Sequence, residues 1–120
     1  MLFRSQVFHN LVRNAMDAMP DGGRLTFTTR VSLDPLFGKV DLGAGQRHMV
    51  EAQIADEGRG IPASVRGRIF DPFFTTKDRG LGLGLALCHR ILDEHRGAIQ
   101  VDSAEGRGTI VTCFIPIAKA

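Results

Sequence analysis

DRGLGLGLAL, residues 78–87, decides how the second half of this chain is read. Gly80, Gly82 and Gly84 alternate with leucines, and alternation alone suits a weak strand. Glycine is a poor strand interior, however, and visits positive φ readily. The residues that follow have helical spacing: Leu83, Leu87 and Ile91 fall four apart, with Leu92 beside them. The stretch therefore reads as a loop running into a helix over 83–96. Backbone N–H groups at such a helix start are unpaired and suit an anion. A plain flexible connector suits the same composition, and the run by itself does not separate the two.

The surrounding chain bounds the possibilities. It has 120 residues, enough for one domain with one core, and its 43% hydrophobic content is that of a soluble globular protein. The net charge is +2 with no basic block, so nucleic-acid binding has no electrostatic support. No apolar run reaches membrane-spanning length and the N-terminus lacks a signal peptide's apolar centre, which implies no direct membrane contact and a cytoplasmic location. Cys88 and Cys113 read as buried free thiols in a reducing compartment, and four scattered histidines suggest no zinc site. Phe occurs eight times while Trp and Tyr are absent, giving an aromatic core with few anchors for a large interface.

Working outward, RSQVFHNLVRNAMDAM (4–19) predicts a helix with an apolar stripe of Val7, Phe8, Leu11, Ala15 and Ala18. Gln6, Asn10 and Asn14 form a second, polar line on it. PDGG (20–23) ends the helix and turns the chain. RLTFTTRV (24–31) and HMVEAQIAD (48–56) alternate as strands of an antiparallel hairpin, separated by a long loop over 34–47. DEGRGIP (56–62) is a tight turn, 63–70 holds one or two helical turns, and FDPFFTTKDRG (70–80) is a loop with aromatic anchors. GAIQVDS and RGTIVTCFIPI close the chain as a hairpin around AEG (104–106). This order predicts an α+β, two-layer sandwich with helices on one face of a mixed sheet.

Several polar residues have two readings each. Asn10 and Asn14 either lie on a solvent face or present amide carbonyls to a hard cation such as Mg²⁺, with Asp17 one turn on to hold its water. Asp56 is either a turn initiator or an acceptor for an exocyclic amine, Gly58 and Gly60 letting backbone pass near a ring. Lys77 and Arg79 are either solvated or phosphate contacts, with Thr75 and Thr76 as weaker candidates. Phe70, Pro72, Phe73 and Phe74 anchor that loop or simply fill core.

Four segments together resemble the ATP-binding catalytic domain of sensor histidine kinases, of the superfamily that includes gyrase, Hsp90 and MutL. HNLVRNAMDAM is similar to the family's N box, DEGRGIP to its first glycine box, FDPFF to its F box and GLGLGL to its second glycine box. Leu81 stands where that last box most often has Thr. NAMDAMPDGG and DPFFTTK most resemble the nitrogen-regulation-type kinases. The likeness covers nearly the whole chain, in the same order, and implies one Bergerat-type ATP-binding domain over 1–120, without the strand or strands that usually precede the N-box helix.

The resemblance implies ATP and Mg²⁺ as ligands. Asn14 would be the metal ligand, Asn10 its helper near the phosphates, and Lys77 the third catalytic residue. Asp17, Asp56, Gly58, Gly60, Ile61 and Phe70 would line the nucleotide pocket. Thr76, Lys77, Gly80, Leu81, Gly82, Leu83 and Gly84 would form a lid and its hinge, ordering around the triphosphate. The implied partners are a histidine on a separate phosphoacceptor domain and a response regulator, the isolated domain being a monomer. None of His9, His48, His89 and His95 has an acceptor's setting. An ATPase, a nucleotide-dependent regulatory module or an anti-sigma-type serine kinase of the same superfamily remains the alternative. Hydrolytic relatives carry a glutamate where this chain has Asn10, and an amide cannot be a general base.

Overall fold

A first helix, α1, spans Leu2–Ala18 in a computed structural model that describes residues 2–33, 48–72 and 84–116. Its stripe is buried as the spacing requires, with Val7, Leu11 and Ala15 at 1–2% exposure. Pro20 cannot extend it, and the turn closes with the Gly22 N–H donating to the Met19 carbonyl at 2.9 Å. Gly22 at φ +92° takes the left-handed backbone this turn needs.

Strands β1 (Leu25–Leu33) and β2 (His48–Asp56) form the expected antiparallel hairpin, in register from Leu25↔Asp56 to Leu33↔His48. A 3₁₀ segment over Ala63–Arg68 follows, then α2 (Gly84–Glu94), β3 (Ala98–Ala104) and β4 (Gly108–Pro116). Helix α2 ends with Arg96 left-handed at φ +61° and Gly97 donating back to the Leu92 carbonyl at 2.7 Å. The left-handed residue is thus Arg96, while Gly97 is glycine because a Cβ there would run into the Phe114 carbonyl.

The sheet order is β1-β2-β4-β3. Every described neighbour pair is antiparallel, which corrects the expected mixed sheet. The physical reason is a split crossover. β2 and β3 run in the same direction with α2 between them in sequence, but β4 folds back into the gap and pairs with both.

Both helices lie on one face. Ala52 and Ile54 of β2, with Val111 and Cys113 of β4, meet Val7, Leu11, Ala15, Cys88, Ile91 and Leu92 there. Met49 and Phe114 are buried on the far face, where Arg30 bridges Glu51 at 2.8 Å across the hairpin. Among the described strands β1 has β2 as its neighbour on one side, and its Phe27 and Val31 are 50% and 61% exposed.

Candidate functional site

The site is built at one end of the sheet. Antiparallel registers place Leu25, Asp56, Thr109 and Ser103 in one row across the four strands. All four lie on the helix-bearing face, since the next row, Phe27–Ile54–Val111–Val101, belongs to that face by the two-residue period. Asp56 ends β2 and holds the next turn itself, its Oδ1 accepting the Gly58 N–H at 2.8 Å. A carboxylate has about four acceptor positions, so this bond leaves capacity for a ligand's donor.

The loop after Asp56 is stitched to three elements. The Arg59 N–H donates to the Ala18 carbonyl at the end of α1 (3.3 Å), and the Gly106 N–H of the β3–β4 turn donates to the Arg59 carbonyl (2.7 Å). Glu57 Oε1 accepts the Arg24 N–H at 3.0 Å, and the Ile61 N–H donates to Ser103 Oγ at 2.8 Å. The glycines serve these contacts. A Cβ on Gly58 would lie 2.6 Å from the Ala18 carbonyl oxygen, and one on Gly60, at φ +74°, would run into the Ala104 carbonyl. The close approach they permit is therefore to the protein's own backbone, and it fixes the loop against α1 and the β3–β4 turn.

The two helices bring Asn14, the last residue of the polar line of α1, opposite the start of α2. Their antiparallel packing sets the Cys88 thiol 3.7 Å from the Val7 carbonyl, and sets Gly84 opposite Asn14. A Cβ on Gly84 would sit 3.7 Å from Asn14 Nδ2 and 3.8 Å from Oδ1, in ordinary contact. The first turn of α2, whose N–H groups have no carbonyl within the helix to bond, thus stands beside the Asn14 amide. One turn further along, Asn10 hydrogen-bonds the Cys88 thiol. Burial pushes that thiol up to about 11, with the Asn10 bond pulling the other way, as an N–H donor does. Burial also raises Cys113, to about 12, aided by Cys88. Both cysteines are free, buried and protonated at neutral pH, as the sequence suggested.

Of the expected site residues, Asp56, Gly58, Gly60 and Ile61 lie in this loop, Gly84 faces Asn14 one turn before the end of α1, Asn10 stands a further turn back against Cys88, and Asp17 lies on the exposed last turn of α1. Phe70 stands against α2, its ring centroid 5.3 Å from that of His89. Thr76, Lys77, Gly80, Leu81, Gly82 and Leu83 lie outside the described residues, as do Thr75, Arg79, Phe73, Phe74 and the 34–47 loop. Sequence reasoning did not single out Ser103 or Thr109. The β-hairpin alternation puts Ser103 and Thr109 on one face, but only the β2–β4 register brings Thr109 beside Asp56.

Residues 3–119 match the family of histidine kinase-, DNA gyrase B- and HSP90-like ATPases. The chain belongs to that family. It is 40% identical over 112 residues to sporulation kinase E of Bacillus subtilis, covering 93% of this chain and 13% of that one. It is 40% identical over 114 residues to the sensory histidine kinase/phosphatase NtrB of Rhodobacter capsulatus, covering 95% of this chain and 32% of that one. The chain thus spans a third or less of the length of these curated relatives. Among solved structures, the catalytic domain of histidine kinase ThkA superposes with a TM-score of 0.73 at 32% identity, covering 96% of this chain and 66% of that one. The expected α+β fold and the resemblance to sensor histidine kinases, the nitrogen-regulation type included, are borne out.

Proposed function

We propose that this chain is the ATP-binding catalytic domain of a sensor histidine kinase, a single domain over 1–120 that supplies the γ-phosphoryl group of Mg-ATP to a histidine on a separate phosphoacceptor domain. Two observations support the reading: the loop held by the Asp56 carboxylate packs through Gly58 on Ala18 at the end of α1, and one turn earlier the Asn14 amide faces Gly84 at the N-terminus of α2. Together they offer an acceptor for an amine, a neutral oxygen for a hard cation and a positive helix end for phosphates. The donor set fits the ligand. Among the described residues no three His, Cys, Asp or Glu side chains cluster, so the candidate cation ligands here are the Asn14 amide and the nucleotide's own phosphates.

Asp56 accepts the adenine amino group, and Gly58, Gly60, Ile61 and Phe70 shape the base pocket. Asn14 would hold Mg²⁺, with Asn10 as helper and Asp17 one turn on. Bound there, Mg²⁺ would offset negative charge on the phosphates. By the family resemblance, Thr76, Lys77, Gly80, Leu81, Gly82 and Leu83, which lie outside the described residues, would contact the phosphates together with Gly84. The attacking nitrogen belongs to the acceptor domain's histidine; the bond from the γ-phosphorus to the β–γ bridging oxygen breaks, leaving phosphohistidine and ADP. A response regulator then takes the phosphoryl group. The domain acts as a monomer in the cytoplasm.

Hydrolysis is disfavoured by the same geometry. One turn before Asn14 stands Asn10, an amide engaged with Cys88, and no amide takes a proton from water. The test is to incubate the chain with γ-labelled ATP, with and without a phosphoacceptor domain from a related sensor kinase. Acid-labile label should appear on the acceptor and not on this chain. Label on this chain, or phosphate release without transfer, refutes the kinase reading.

A further inference from the structure

We propose that Ser103 determines base specificity by committing the Thr109 hydroxyl to act as an acceptor toward the nucleotide base. Ser103 Oγ touches three groups: the Ile61 N–H at 2.8 Å, the Gly108 carbonyl at 3.0 Å and Thr109 Oγ1 at 2.8 Å. A serine hydroxyl carries one hydrogen and two lone pairs. The Gly108 carbonyl can only accept, so the hydrogen goes there. One lone pair takes the Ile61 N–H. The remaining bond is then made with Thr109 as the donor, which uses the only hydrogen that Thr109 has.

The consequence falls on Asp56. Thr109 is its cross-strand partner on the same face, with Cβ atoms about 4.5–5.5 Å apart in such a pair. With its hydrogen turned to Ser103, Thr109 offers only lone pairs toward the pocket. Asp56 and Thr109 together form an all-acceptor floor. Such a floor rewards an exocyclic amine and penalises a ring carbonyl at the same place, because the carbonyl's lone pairs would face acceptors with no donor between them. Ser103 touches no base itself; it acts through Thr109. Neither residue has been placed in the phosphate or cation machinery, so their effect is confined to the base.

The inference rests on the nucleotide reading of Asp56. Its test is the ratio of affinities for ATP and inosine triphosphate, which differ at that position by an amine against a carbonyl. Ser103→Ala frees the Thr109 hydrogen to meet the carbonyl, so the preference for ATP should fall about two- to tenfold, the worth of one hydrogen bond. Ser103→Thr keeps the hydroxyl and should keep the preference. Thr109→Val removes the acceptor toward the base along with the hydrogen given to Ser103, and should weaken ATP binding while leaving the inosine nucleotide unchanged or bound slightly more tightly, a result that also decides the matter if Ser103→Ala does not fold. Equal losses for both nucleotides in Ser103→Ala would make Ser103 a merely structural staple and overturn the inference. A larger loss for the inosine nucleotide in Thr109→Val would overturn it too. Wild-type protein that binds neither nucleotide overturns the underlying reading as well, whereas ATP binding with an unaltered ratio in the variants overturns this inference alone.

Discussion

Replacing Asp56 with asparagine separates the carboxylate's two tasks. In the native protein Oδ1 holds the Gly58 N–H at 2.8 Å, and the remaining acceptor capacity faces the pocket. Asparagine has one carbonyl oxygen in place of two carboxylate oxygens. If that oxygen keeps the turn, the NH₂ group faces the adenine amine, and two donors meet. Leaving one such group unpaired costs about 1–3 kcal/mol. At about 1.4 kcal/mol per tenfold, ATP affinity should fall roughly ten- to a hundred-fold. The turn survives in this arrangement, so the loop's ties to Ala18 and Ser103 persist and thermal stability should change by less than about 1 kcal/mol. Calorimetry with ATP and with adenosine is the assay. Both carry the amine, so both should weaken by the same factor. Unchanged ATP affinity, or a loss for ATP that adenosine does not share, refutes the assignment of Asp56 to the base.

Other substitutions test the remaining parts. Asn14→Ala should lower Mg²⁺-dependent ATP affinity by about tenfold or more while sparing adenosine, and calorimetry with both ligands reads the difference. Gly60→Ala combines a left-handed backbone at φ +74° with a Cβ directed into the Ala104 carbonyl, so chemical denaturation should show a loss of about 2 kcal/mol or more. Among the described residues Gly84→Ala meets ordinary contacts with Asn14, and it should leave stability within about 0.5 kcal/mol. For the thiols, the folded values lie at about 11 and about 12, above the ordinary 9.0. The folded state therefore binds more protons than the unfolded state between these limits. Stability should be complete below pH 9 and fall as pH rises toward 11–12, by up to about 1.4 kcal/mol per unit for each thiol. Denaturation across that range should show a shallower fall when both cysteines are replaced by alanine.

Local periodicity carried most of the fold. The stripe of α1 and the alternation of 48–56 come from side chains a few residues apart, and β2 occupies His48–Asp56 as read. The sheet's all-antiparallel pairing was not legible, because it depends on β4 inserting between β2 and β3, a choice made by long-range packing. The same limit hid Ser103 and Thr109. Asp56 and Thr109 become neighbours only through the register of β2 on β4. Gly58 and Gly60 were legible as special positions, but not the reason, which is contact with Ala18 and Ala104 from distant elements. Asn14 and Gly84 were legible because each interrupts its own local pattern, one as an amide in an apolar helix and the other as glycine at a helix start.

A calorimetric titration of the 120-residue chain with ATP, in the presence and absence of Mg²⁺, tests the central claim most directly. The account predicts one ATP per chain, bound more tightly with Mg²⁺ than without, while adenosine binding ignores the cation and GTP binds more weakly than ATP. No binding of ATP, or GTP bound as well as ATP, would contradict it.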